Sequence, residues 1–254
     1  MVFPLYDDNS DRTITPLINY AIIALNIFVF VVLQQLGSND QFTYSFSTVP
    51  AEILSGHDVV TSARHVLDPV SGQVLTIPGL GPTPVSVYVT LFTSMFMHGG
   101  IAHIAGNMLF LWIFGDNIED RVGHVKYLIF YLLCGVIASL SHVFATSVFA
   151  GDERSLLVPS LGASGAISGV LGAYILLYPK RRVTVILFRF LTQVPAYVAI
   201  GIWFAFQLIS GLGMLGGGSQ TGGVAYAAHV GGFLAGLVLI KFFDSGKKDS
   251  APAY

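Results

Sequence analysis

"GASGAISGVLGAY", residues 162–174, opens an apolar stretch that runs to Leu177 without a single charge, yet two serines and four glycines interrupt it. A segment this greasy reads as a helix buried in protein or membrane. The hydroxyl at Ser164, flanked by Ala163 and Gly165 near the start of that helix, needs a reason. The whole chain has the same character. It is 54% hydrophobic and 10% charged, with a mean hydropathy of +0.72, whereas soluble globular chains carry about 25% charged residues. That composition points to a polytopic membrane protein.

A bilayer core of about 30 Å requires about 20 apolar residues per spanning helix. Six segments qualify in outline: 17–36, 101–115 with its flanks, 125–149, 162–178, 193–213 and 224–243. The second and fourth are short for a simple span, so their ends are expected inside protein or local water. The fold class expected is therefore an all-α, six-helix membrane bundle.

Basic residues set its orientation. Arg12, Arg121, Lys126, Lys180, Arg181, Arg182, Arg189, Lys241, Lys247 and Lys248 fall on one side, leaving only Arg64 and Arg154 on the other. Both termini are then cytoplasmic. Residues 1–16 form a short cytoplasmic segment, 17–243 the helical domain and 244–254 a tail expected to be disordered. The long 37–97 segment, the 150–161 loop and the glycine-rich 211–223 loop face outward. No cleavable signal peptide is expected, because the mixed charge of "MVFPLYDDNSDRTITP" is wrong for one.

Several function classes drop out. A net charge of −2 offers no basic surface for nucleic acid. Cys134 is alone, so no internal disulfide or CxxC site exists, and the histidine spacings match no zinc pattern. A channel would want a polar face through the full depth, but "VLGAYILLY" and "FLAGLVLI" are featureless.

Counting from the outer ends instead gathers four polar residues at one depth. His103 and Asn107 lie i, i+4 on one face of the second helix. Ser164 begins the fourth, and His229 sits one to two turns into the sixth. Polar groups inside a membrane usually face the bundle interior. Gly165 and Gly169, like Gly232 and Gly236, show the small-xxx-small spacing that lets helix backbones approach. If helices four and six meet there, Ser164 and His229 become a nucleophile and its general base. No Asp or Glu lies near this depth, so a dyad is expected rather than a triad. His103, Asn107 and the Ser164 backbone N–H are the available oxyanion donors. The soluble nucleophile elbow does not fit, because Ala166 stands where its second Gly belongs.

Taken together, "HGGIAHIAGN" (98–107), "GASG" (162–165) and "AHVGGFLAG" (228–236) resemble the H-x4-H-x3-N, G-x-S-G and A-H-x2-G-x3-G patterns of the rhomboid intramembrane serine proteases. The resemblance covers about residues 10–243. It implies Ser164 as nucleophile and His229 as base, with His103, Asn107 and the Ser164 amide stabilising the oxyanion. Gly162 would permit close approach before the nucleophile, and Gly232 and Gly236 would seat helix six on helix four. It further implies cleavage of transmembrane protein substrates near the outer face of the lipid bilayer, with no metal or cofactor. The plain six-helix layout resembles prokaryotic members, hence a prokaryotic inner membrane.

"GDNIEDRVG" (115–123) resembles the family's E-x-R turn, where Glu119 and Arg121 would be structural. Two features depart from the pattern. Val89-Thr90 replaces a Trp-Arg pair of the first loop, and Ser168 replaces a Tyr that packs on the catalytic His in some members. The alternative reading is a proteolytically inactive relative that binds or chaperones membrane clients.

Overall fold

Among the described residues, one long helix lies within or across each of the six apolar segments. The computed structural model describes residues 2–67, 74–149, 153–187, 190–215 and 226–244. Met1, residues 68–73 of the 37–97 segment, 150–152, 188–189 (Arg189 included), 216–225 and the tail from 245 (Lys247 and Lys248 included) lie outside the described residues. The long helices are α1 (Leu17–Phe28, continued by a π turn over Val29–Leu33), α2 (Ile101–Val122), α3 (His124–Phe149), α4 (Ser164–Leu177), α5 (Ala196–Leu215) and α6 (Tyr226–Phe243), with short helical turns at Asp40–Ser45, Pro50–Ser55 and Thr90–Thr93. By length and hydropathy α3 and α6 can each cross a bilayer, and α2 joins them as a bent pair with Val87–Phe96, kinked by 81°. Leu17–Leu33, Ser164–Leu177 and Ala196–Ile209 are shorter apolar helices.

Position in the bundle explains why α4 can be short. Every residue from Gly165 to Tyr174 is buried, and the helix packs on α2, α3, α5 and α6. A helix apolar on all sides belongs in the middle of an assembly. The outer helices instead present apolar side chains outward: Leu25, Phe28 and Val32 on α1, Leu140 and Phe144 on α3, Phe206 and Ile209 on α5, Leu234 and Val238 on α6. Such a surface suits hydrocarbon rather than water, and the chain is an integral membrane protein.

The fold is not purely helical, which corrects the all-α expectation. Strand β1 (Val2–Asp7) lies at the start, and β2 (Arg64–Leu67) pairs with β3 (Val74–Ile77) in a hairpin. Strands β4 (Arg182–Leu187) and β5 (Phe190–Pro195) follow α4. β1, β4 and β5 form an antiparallel sheet in that order, with Val2 opposite Leu187 and Asp7 opposite Val183. "RVTVIL" is rich in the β-branched residues that suit strands. Val183, Thr184 and Val185 are buried, so the basic cluster of this connection conceals a structured hairpin.

A second correction concerns α2, which runs on past residue 115 to Val122 despite its acidic residues. Those carboxylates are met by residues 9–19, the first segment and the first turn of α1. Asp116 accepts from Arg12 Nη1 at 2.8 Å and Asn9 Nδ2 at 3.0 Å. Asp120 accepts from the backbone N–H groups of Thr13 and Ile14 at 2.8 and 2.7 Å. Fully buried Glu119 takes the N–H groups of Ile18 and Asn19 at 2.9 and 2.7 Å. Helix α1 starts after Pro16 with no side-chain cap of its own, so Glu119 caps it from another helix and complements its dipole. Arg121 holds Asp244 through two hydrogen bonds, 2.8 and 3.1 Å.

Asp7 closes the same end of the bundle. Its Oδ2 accepts from Tyr174 Oη at 2.5 Å and Asn117 Nδ2 at 2.9 Å, while Oδ1 is buried without a partner. Burial pushes its carboxyl up to about 7. Asp116 adds to the rise, and the Tyr174 hydroxyl and the Arg181 charge oppose it.

Candidate active site

The α4–α6 seam is built from glycines. A methyl on Gly232 would overlap the Gly165 carbonyl oxygen, and one on Gly236 would overlap that of Gly169. On the other side of α4, the same addition at Gly165 meets Ala138 and at Gly169 meets Cys134. Close backbone approach is therefore a requirement at these positions. It sets the separation at which side chains just above the seam can touch.

Across that seam Ser164 Oγ lies 2.7 Å from His229 Nε2. Ser164 is the first residue of α4, so its N–H is one of the N-terminal donors without an intrahelical partner. The preceding turn is held by Gly162 N–H, which donates to Ser94 O at 2.8 Å. Gly162 has φ +119°, a left-handed conformation that favours glycine. A methyl there would come within 2.8 Å of His103 Nε2. The missing side chain thus makes room for the His103 ring beside the serine.

His103 Nδ1 accepts from Gly99 N–H at 3.3 Å. That bond assigns the ring hydrogen to Nε2, the nitrogen turned toward Gly162. Asn107, one turn further along α2, is buried with Nδ2 unpartnered. His103, Asn107, Ser164 and His229 share the wall of a cavity of about 1320 Å³, together with Trp203 and Gln207 of α5. A serine poised on an imidazole, beside unspent donors at a helix N-terminus, can attack a carbonyl and receive the resulting oxyanion. Among the described residues no group of His, Cys, Asp and Glu could hold a metal ion.

Sequence reasoning did not find Gln207. Its Oε1 is 2.8 Å from His229 Nδ1, on the far side of the ring from Ser164. The available signal was a lone amide in the apolar run "AIGIWFAFQLIS" (199–210), since a polar residue inside such a helix usually meets a partner in the bundle. Ser168 turns back and donates to Ser164 O at 2.6 Å, so it does not reach the histidine ring. The rings nearest His229 are Trp203, tilted at 6.1 Å, and Tyr226, edge-on at 6.5 Å. His98 is held by its backbone, which exchanges two hydrogen bonds with the Gln34 side chain at 3.0 and 2.9 Å.

Comparison with known proteins agrees with this architecture. Residues 86–244 match the family model described as the Rhomboid domain. The chain is 30% identical over 154 residues to "Rhomboid protein 1, mitochondrial" of Saccharomyces cerevisiae, covering 61% of this chain and 41% of that protein. It is 35% identical over 143 residues to "Rhomboid protease GluP" of Bacillus subtilis, covering 56% and 26%. With "Presenilin-associated rhomboid-like protein, mitochondrial" of Bos taurus it shares 32% over 152 residues, covering 60% and 37%. The matched part thus spans less than half the length of each of these relatives. The family match covers most of the chain, including α2 to α6 and the Ser164–His229 pair they carry, and on that ground the chain belongs to the rhomboid family.

Proposed function

We propose that this chain is an intramembrane serine endopeptidase that cleaves transmembrane segments of other membrane proteins near the outer face of the bilayer. The observation that carries the reading is the 2.7 Å contact between Ser164 Oγ and His229 Nε2 in a cavity that also exposes His103 and Asn107. In this reading Oγ attacks the scissile carbonyl carbon while its proton passes to Nε2. The carbonyl oxygen becomes an oxyanion, met by His103 Nε2–H, Asn107 Nδ2 and the Ser164 N–H. Collapse returns the proton from Nε2 to the leaving amine and leaves an acyl-serine, which water then hydrolyses with the same histidine as base. No cofactor enters the sequence of steps.

The reading includes six spans within residues 17–243, with the 1–16 and 244–254 segments cytoplasmic. Its support is the end of the bundle where Arg12, Arg121, Lys126 and Arg181 gather, opposite the cavity. A prokaryotic inner membrane stays part of the proposal, and the relatives' names include both mitochondrial and bacterial proteins.

The test is incubation of purified protein with a panel of single-span substrates and a fluorophosphonate probe, with products read by mass. Wild type is expected to cut and to label; Ser164→Ala is expected to do neither, and His229→Ala to lose about 10³-fold or more of its activity. Labelling that survives Ser164→Ala overturns the assignment. Binding of the panel without cleavage by wild type would favour the client-binding alternative.

A further inference from the structure

We propose that Gln207 is the third member of the catalytic group, a neutral acceptor that fixes the tautomer and the ring plane of His229. The inference rests on the proteolytic reading above and adds a positioning residue to it.

A histidine acting as base toward Ser164 must present the Nε2 lone pair, so its hydrogen must reside on Nδ1. With no carboxylate beside the ring, that hydrogen needs another acceptor. Gln207 Oε1 supplies it at 2.8 Å, and both residues are buried. Among the described residues no other group takes this place at Nδ1. Ser168 is committed to the Ser164 carbonyl, and Trp203 and Tyr226 contact the ring only by faces and edges. The two hydrogen bonds run through one imidazole, from Ser164 through Nε2 and Nδ1 to Gln207.

The order matters for the chemistry. When Nε2 takes the serine proton, Nδ1–H stays on the ring and its bond to the amide oxygen strengthens with the new positive charge. Gln207 accepts no proton, so the step remains a single transfer from Oγ to Nε2. Were the amide turned to offer its NH₂ instead, Nδ1 would have to be the lone pair. Nε2–H would then face Oγ and could not abstract its proton.

Gln207→Leu keeps a side chain of similar size in an apolar helix but removes the acceptor. The expected result is a fall in kcat of about 10- to 100-fold, with KM changed less than about twofold. Gln207→Glu, which restores an oxygen at the same reach, is expected to recover most of it. An independent reading comes from ¹⁵N spectra of histidine-labelled wild type, with the His229 signal assigned by its loss in His229→Asn. An Nδ1–H tautomer that becomes mixed in Gln207→Leu supports the assignment. The proposal is overturned by an Nε2–H tautomer in wild type, by unchanged kcat in Gln207→Leu, or by a loss confined to KM. Should no reporter be cut, the spectra still decide the role of Gln207, and only the protease reading falls.

Discussion

Gly232→Ala tests how far the site depends on the α4–α6 seam. The added methyl would land on the Gly165 carbonyl oxygen, which is backbone and cannot swing away. Restoring an ordinary carbon–oxygen separation there takes about 1 Å of parting between the helices. Gly165 follows Ser164 directly, and Gly232 lies three residues after His229, so the parting is passed to the Ser164–His229 pair. A 2.7 Å hydrogen bond then opens beyond hydrogen-bonding range. A misplacement of about 1 Å at a reacting centre can cost on the order of 10²-fold in rate, and forced overpacking adds about 1–3 kcal/mol of destabilisation. The assay is cleavage of a helical reporter, paired with the rate of fluorophosphonate labelling at Ser164 and thermal unfolding in detergent. Gly201→Ala is the control. An added methyl on Gly201 meets nothing within 4 Å, so wild-type rate is expected there. If Gly232→Ala keeps wild-type cleavage and labelling rates, the seam does not set the geometry and the reasoning fails.

Gly162→Ala combines strain at φ +119° with a methyl against His103; kcat should fall at least tenfold with KM nearly unchanged, measured on the same reporter. Glu119→Ala strands two N–H groups at the start of α1 and should cost about 3 kcal/mol, with Glu119→Gln costing roughly half as much, read by unfolding in detergent. Asp7 gives a pH dependence with a definite sign. Its folded carboxyl keeps a proton up to about pH 7, whereas the ordinary value is 3.8, so the folded state holds the extra proton in between. Its contribution to stability is full below pH 3.8, declines as pH rises toward 7, and is level above that. Asp7→Asn keeps an oxygen for Tyr174 and Asn117 and should flatten that slope while raising the unfolding temperature at pH 8.

Much of the site was legible because a membrane makes polar residues conspicuous. Ser164, His103, Asn107 and His229 stand out against apolar neighbours, and the paired glycines name the helices that touch. The structure brings these residues to one cavity and one seam. Gln207 is a lone amide in an apolar run by the same rule, but an amide in sequence gives no sign that it stands where a carboxylate would. The sheet was hidden for a different reason. Charge in "KRRVTVILFR" (180–189) reads in sequence as the end of an apolar segment, and that signal masks the strand pattern lying within it. α2 likewise looked shorter than it is, since Asp116, Glu119 and Asp120 reveal their partners only once residues 9–19 fold back on them.

The sheet has a mechanical consequence. β5 feeds straight into α5, and the first N–H groups of that helix bond to Arg181 O and Pro179 O at 2.8 and 3.0 Å, so its lower end is pinned. Gln207 sits roughly 16 Å higher along the axis, taking 1.5 Å per residue. α5 is thus a lever with its fulcrum at the sheet, and a tilt of about 5° swings the amide by about 1.4 Å, enough to release the imidazole. Because β1 pairs with β4 in that sheet, a displacement of residues 2–7 that tilts α5 is enlarged at the His229 imidazole.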